Sequence, residues 1–308
     1  MTVPRPRVLY IGGSGRSGST LLARLLGEVE GFVSVGELRY VWKRGFVHNH
    51  LCECGQSFRD CPFWAEVVDR AFGGFAALDA EAVRSHQDAV DRIRYVPPLL
   101  WRGSRTEAFR RHLGEFERTL ELLYSAILEV SGASVVVDSS SDPTYGFVLR
   151  SAELLDVRVV HLVRDSRAVA HSWTRSKPRP EIAGRTVYMR RRSPIQSAVH
   201  WDVNNLLLEI LAARDRSALR VRYEDLVTDP GRVVQSTCDI LGIPGAASPT
   251  AMARHSISGN PMRFQPGPLR VQLDDEWIEA FATRDRRLVT LATAPLLARY
   301  GYVGRRSR

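Results

Sequence analysis

Lysine is almost missing from this sequence. Of 43 basic side chains only Lys43 and Lys177 are lysine; the rest are arginine. An arginine fork grips carboxylate, phosphate or sulfate bidentately, where an ammonium acts as a point charge. A coding bias toward arginine and alanine accounts for the larger share of the excess. Long apolar runs are also missing, so no integral membrane segment is expected. No basic stretch is interleaved with aromatics in the way nucleic-acid surfaces are, which argues against a nucleic-acid partner. The opening MTVPRPRVLYIGG has too short an apolar run for a secretory signal, flows straight into glycines and reads as a first strand. A cytoplasmic chain is therefore expected. Nothing in the pattern bears on oligomeric state.

What is present is ordinary globular material. The 308 residues are 44% hydrophobic and 25% charged, enough for a sizeable core. The net charge of +9 favours an anionic partner. Short, β-branched runs read as strands covered on both faces: Val8 to Ile11, Phe32 to Val35, Val135 to Val137, Val157 to Val163 and Leu219 to Tyr223. Helical patterns over Thr20 to Val29, Pro143 to Leu155 and Ser166 to Ser176 follow strands, which predicts an α/β fold with a central parallel sheet flanked by helices. Ligands of such sheets collect at the carboxyl ends of the strands. Residues 45–130 break the rhythm. Helices are expected there at Ala65 to Ala71, Asp79 to Ile93 and Thr106 to Val130, forming a mostly helical insertion in a single domain and a possible cap. Residues 175–195, rich in Pro and Arg, predict a mobile loop near the site.

The stretch GSGRSGST, residues 13–20, has the spacing of a phosphate-binding loop, with Ser19 where its lysine normally stands. A strand enters it and a helix leaves it, so unpaired N–H groups at the helix start attract an anion. Ser17, Ser19 and Thr20 add hydroxyls, and Arg16 adds the charge. A nucleoside triphosphatase would need the missing lysine and an acidic magnesium partner. Asp138, after an apolar run, could imitate that acid, so a divergent P-loop kinase or NTPase stands as the alternative.

The loop GSGRSGSTLL resembles the 5′-phosphosulfate loop of the sulfotransferases that use 3′-phosphoadenosine 5′-phosphosulfate (PAPS). The segment VVHLVRDSRAVAHSW, residues 159–173, is similar to that family's 3′-phosphate motif, with Arg164 at the strand end and Ser172 on the helix. VRYEDLVTDP, residues 221–230, resembles the segment whose tyrosine contacts adenine, here Tyr223. HSISGNPMRF, residues 255–264, resembles the closing loop over the nucleotide, with Gly259, Asn260 and Arg263 facing it. The resemblance covers residues 7 to 303 and implies a P-loop-like three-layer fold. It implies PAPS as co-substrate, no required metal, and a small-molecule, carbohydrate or lipid acceptor with a hydroxyl. Gly15, Arg16, Ser17, Gly18, Ser19 and Thr20 would hold the 5′ end, with Arg16 on the bridging oxygen. Glu37, in VSVGELRYVW, is similar to the base of the tyrosylprotein-type members. The chain departs from the pattern at Ser141, where related DSSKDP-like segments carry a lysine. Arg16 or an arginine of 185–192 would then substitute. A nucleotide-binding regulator that lost turnover is a further reading.

His200, on an expected helix, reads first as a packed residue, with a place lining the acceptor pocket as the alternative. HNHLCECGQSFRDCPFW, residues 48–64, gathers Cys52, Cys54 and Cys61 beside His48 and His50. Three readings stay open: reduced thiols in a compact loop, a Cys52–Cys61 or Cys54–Cys61 disulfide, and a metal site lacking a clear fourth ligand. The site as expected contains no metal.

Overall fold

The computed structural model of the chain describes residues 5–214, 218–243, 254–265, 269 and 271–303. Five strands form its centre: β1 (Arg7–Gly13), β2 (Phe32–Gly36), β3 (Val135–Ser141), β4 (Asp156–Val163) and β5 (Leu219–Arg222). They lie in the order β2-β3-β1-β4-β5, and every pairing is parallel. Crossovers therefore leave β1 in both directions and open a crevice at the carboxyl ends beside it.

Alternation along the strands builds the layers. Val8, Tyr10, Val136, Val157 and Val159 join one apolar cluster, while Leu9, Ile11, Val135, Val137, Val160 and Leu162 join another. With a side-chain period of two, these are the two faces of the sheet. Helix α1 (Ser19–Leu26) covers the second face through Leu21, Leu22 and Leu26.

The inserted segment holds α2 (Pro62–Phe72), α3 (Ala80–Asp88), α4 (Val96–Leu100) and α5 (Glu107–Ser131). Trp64, Val67, Val83, Phe116 and Leu120 from it share one buried cluster with Val8 and Tyr10 of the sheet. The insertion is thus built onto the sheet's core. The long helix expected from Asp79 to Ile93 stops at Asp88. Beyond it Val90 turns into the core, and Asp91 forms a buried ion pair with Arg39 at 2.7 Å.

After β3 come α6 (Pro143–Ser151), α7 (Ser166–Thr174), α8 (Pro194–Ala212), α9 (Tyr223–Thr228) and α10 (Pro230–Asp239), then α11 (Trp277–Ala280), α12 (Thr283–Ala292) and α13 (Ala294–Arg299). The segment between α7 and α8 is not a free loop as expected. Met189 N donates to Lys177 O and Arg179 N to Val187 O, both at 2.8 Å, which makes it a two-stranded ribbon. Glu181 in it is buried against Arg179, and its carbonyl accepts from Leu51 N at 3.0 Å.

A short stretch at Ile257 extends the sheet beyond β2. Ile257 N donates to Val35 O and Glu37 N to Ile257 O, both at 2.9 Å. Gly36 permits this with φ of 83°, and a methyl there would stand 2.4 Å from Ile257 O. Gly36→Ala should cost more than about 1 kcal/mol of stability, because both the left-handed backbone and the approach of Ile257 exclude a side chain. Urea unfolding measures this; an unchanged midpoint would contradict the pairing.

Candidate active site

The loop after β1 bends sharply enough to aim its own backbone at the crevice. Arg16 has φ of 77° and Gly18 φ of 97°, both in the left-handed region. For Arg16 this conformation is strained, the kind of cost seen where a loop is shaped around a ligand. Gly18 has no alternative: a methyl would stand 2.6 Å from the Tyr223 ring. Ser17 closes the bend, with its N–H and its hydroxyl both donating to Ser14 O. Helix α1 then begins with no side-chain cap, so its first N–H groups stay available at the positive end of the dipole.

All five strand ends meet in one cavity of about 870 Å³. The β1 loop contributes Gly15, Arg16, Gly18, Ser19 and Thr20; β2 contributes Glu37; β3, Ser140 and Ser141; β4, Arg164; β5, Tyr223. Ser172 of α7 lines it, as do Gly259 and Asn260 of the segment beside β2. Asn260 N reaches Thr20 Oγ1 at 3.4 Å, and Gly259 lies against Thr20 and Glu37. These expected residues are therefore brought together.

Two expected residues are not. Ser17 is 2% exposed, its hydroxyl spent on Ser14. Arg263 is 3% exposed and turned away from the cavity, because its guanidinium donates to Ser256 O and to Leu51 O. It joins the segment carrying Gly259 to the cysteine loop, so the expectation that it faces a ligand is corrected. Of the three arginines at 190–192, only Arg192 lines the cavity.

Positive charge is concentrated at two places. Arg164 is buried; its Nη1 donates to Arg16 O at 3.1 Å and its Nη2 pairs with Asp274 at 3.0 Å. Its guanidinium lies 4.3 Å from the Tyr223 ring centroid. Burial alone would raise the Asp274 carboxyl, but Arg164 outweighs it and holds Asp274 below the usual range. Around the β1 loop stand Arg16, Arg192 and Lys177, the first two lying 4.8 and 4.3 Å from the Trp173 ring centroid. Burial lowers the Lys177 amine, and Arg16 adds to the effect. Arg16 Nε, Arg164 Nε and Ser14 Oγ are buried without a protein partner. Such groups cost free energy unless a ligand satisfies them.

Glu37 faces this charge with Arg44 at 3.7 Å. Burial pushes its carboxyl above the usual carboxylate range, against the pull of Arg44. The cavity shares Arg39, Asp142, His200 and Asn204 with an open surface groove of about 590 Å³, faced by Ile93, Ile195, Val199 and Val203, the first three of them exposed. His200 thus lines the site, the second of its two readings, and is not simply packed. Burial, then Arg192, holds its imidazole down to about 4, so it is neutral near pH 7. Arg39 and Lys177 were missed because each comes from a turn or ribbon whose path no periodicity signals; Trp173, on α7, was read only as part of a helix, and Arg192 was reached only as one of the arginines of 185–192.

Asp138 does not reach the cavity. It is fully buried and accepts hydrogen bonds from Tyr124 Oη at 2.6 Å and Ser140 N at 2.9 Å. Its carboxylate is engaged inside the core, away from any Walker-type role.

A sequence model described as "Sulfotransferase family" matches residues 7–247 of the 308. The chain belongs to the sulfotransferase family. Two solved structures share this sulfotransferase's fold. The sulfotransferase domain of the olefin synthase of Synechococcus PCC 7002 is 22% identical, with 97% of each chain covered and a TM-score of 0.53. The sulfotransferase domain of the curacin biosynthetic pathway is 16% identical, covering 95% of this chain and 99% of that one, with a TM-score of 0.51. Comparison with curated proteins gives no match. As a sulfotransferase, the enzyme moves a sulfuryl group onto an acceptor.

Asp138→Asn should lower stability by about 1–3 kcal/mol, since buried donors lose their charged acceptor, yet leave adenosine nucleotide binding at the wild-type affinity. Denaturant unfolding and calorimetric titration check this. A variant that unfolds normally but has lost nucleotide affinity would put Asp138 in the site.

Proposed function

We propose that the donor is PAPS and that the acceptor is a hydroxyl on a small molecule with an apolar body. The observation that carries this reading is that one cavity gathers two cationic groups from different elements, the β1 loop with Arg16 and the β4-end Arg164, with the Tyr223 ring packed against both. A nucleotide with phosphate at both 3′ and 5′ positions fits that division of charge. The partnerless buried Nε atoms of Arg16 and Arg164, both of which line the cavity, favour an anion there.

The roles follow. Backbone N–H groups of the β1 loop, with Ser19 and Thr20, hold the 5′ end. Arg164 and Ser172 hold the 3′-phosphate, and Tyr223 offers its ring to the adenine. Gly259 and Asn260 cover the nucleotide, while Arg263 holds their segment in place. Bound PAPS supplies an activated sulfuryl group. Arg16 neutralises negative charge that builds on the bridging oxygen. Lys177, beside Arg16, is our assignment for the cation absent at Ser141. Glu37 takes the acceptor proton, and its raised pKa suits a base working near neutral pH.

The adjoining open groove supports an apolar acceptor, since Ile93, Ile195, Val199 and Val203 face it. The shared core supports reading the chain as one domain with an insertion at 45–130. No helix of the described residues is long and apolar enough to cross a membrane. We assign the reaction to the cytoplasm, whose reducing poise would keep Cys52, Cys54 and Cys61 as thiols.

Arg164→Ala should weaken adenosine 3′,5′-bisphosphate at least about 30-fold while hardly changing AMP, as loss of a buried charged partner costs about 2 kcal/mol or more. Calorimetry measures both ligands; equal losses would remove the 3′-phosphate role. Glu37→Gln should lower kcat by about 100-fold or more with nucleotide affinity intact. The base must be ionised to act, so wild-type activity should fall as pH drops through the raised Glu37 pKa, with an acid limb above the ordinary carboxylate range. A pH–rate profile whose acid limb is untouched in Glu37→Gln would assign the base elsewhere.

A further inference from the structure

We infer that Cys52, Cys54, Cys61 and His255 form a binding site for one tetrahedral zinc ion. The site lies outside the catalytic cavity and stands independently of the reaction proposed above. The four ligand atoms lie within 4.8 Å of one another. The Sγ atoms of Cys54 and Cys61 are 3.6 Å apart, and those of Cys61 and Cys52 are 3.7 Å apart. His255 Nδ1 is 3.2 Å from Cys61 Sγ and 3.9 Å from Cys52 Sγ. Zinc bonds of about 2.3 Å to sulfur and 2.0 Å to nitrogen, at tetrahedral angles, require edges of about 3.8 Å between sulfurs and 3.5 Å from sulfur to nitrogen. Four of the six edges lie within about 0.4 Å of those values, and the other two stay within 4.8 Å, before any ion is placed in the cluster. Three thiolates and one imidazole are also the donor set that closes a structural zinc site, with no position left for substrate.

The surroundings hold the ligands ready. The His255 ring stacks on Phe63 with centroids 4.8 Å apart and planes 11° from parallel. Trp64 Nε1 donates to His255 O at 2.8 Å, which fixes its backbone. Cys52 N donates to Gln56 O at 2.9 Å and Cys61 N to Ser57 O at 2.9 Å, so both cysteines sit at anchored turns. Cys52 and Cys61 are fully buried and Cys54 is exposed, giving the ion a path in. His48 and His50, the neighbours in sequence, stack on each other and contribute no ligand to the cluster. The fourth ligand comes from nearly 200 residues downstream, which is why the cysteine spacing alone left the metal reading open.

Position gives the ion a task. His255 opens the segment that carries Ile257, Gly259 and Asn260 to the catalytic cavity. Glu53 N donates to Ser256 O at 3.1 Å, and Arg263 bridges Ser256 O to Leu51 O. The ion would fasten this segment to the cysteine loop, and through Ile257 to the strand end that bears Glu37.

The full chain, purified under reducing conditions and without chelator, should carry about one zinc by elemental mass spectrometry. Cobalt exchanged into the wild-type protein should give the intense visible bands of a tetrahedral thiolate site. Cys54→Ser, chosen because Cys54 is exposed, and His255→Ala should each lower zinc affinity at least about tenfold. Chelation should lower the melting temperature, and added zinc should restore it. Three results would each overturn the assignment: a wild-type chain that stays metal-free in excess zinc, zinc retained at full affinity in both variants, or a Cys52–Cys61 disulfide in folded, metal-free protein. Because the cobalt spectrum is read on the wild type, a variant that fails to fold leaves the test intact.

Discussion

The left-handed bend at Arg16 and Gly18 is the constraint on which the site depends. It turns the chain from β1 into α1 so tightly that the first helical N–H groups face the crevice uncapped. The bend exists only because its neighbours leave it no room to relax. Tyr223 fills the space over Gly18, Trp173 donates to Gly15 O at 3.2 Å, and Arg164 holds Arg16 O. Each of these residues comes from a different element, and each also lines the cavity. Formation of the anion site is thereby coupled to the correct docking of β4, α7 and β5.

A second set of contacts sets the far wall. Residues 255–260 come from far downstream and reach the site at the sheet's edge. They are held by the parallel pairing of Ile257 with Gly36, by Arg263 and by the cluster around His255. Glu37 stands where these two sets meet, between the charge of the β1 loop and the segment at Gly259. The cysteine loop, distant from the reacting groups in sequence, becomes part of what positions them.

The parallel sheet was legible because its evidence is local: short β-branched runs, each followed by a helix or a polar loop. Gly15, Arg16 and Gly18 were legible because phosphate-loop spacing is local, and Arg164 only through the resemblance of residues 159–173 to the family's 3′-phosphate motif. Arg263 was not, because the direction of a side chain in an irregular segment depends on which carbonyls lie near it. Lys177 sits on a ribbon held by backbone pairing that leaves no hydrophobic period, and Arg192 was legible only as one of the arginines of 185–192. Helix α3 stopped early because a buried ion pair between Asp91 and Arg39 outweighed helical pattern. His255 could be found only by folding the chain, since its partners are linked to it through space alone.

The account's central claim is that the crevice recognises a nucleotide with phosphate at both ends of its ribose. Calorimetric titration of the purified chain with adenosine 3′,5′-bisphosphate and with ATP, each with and without Mg²⁺, tests it most directly. The bisphosphate should bind more tightly than ATP, and Mg²⁺ should not change its affinity. Tighter, Mg²⁺-dependent binding of ATP would contradict the assignment of Arg164 and of the loop around Arg16.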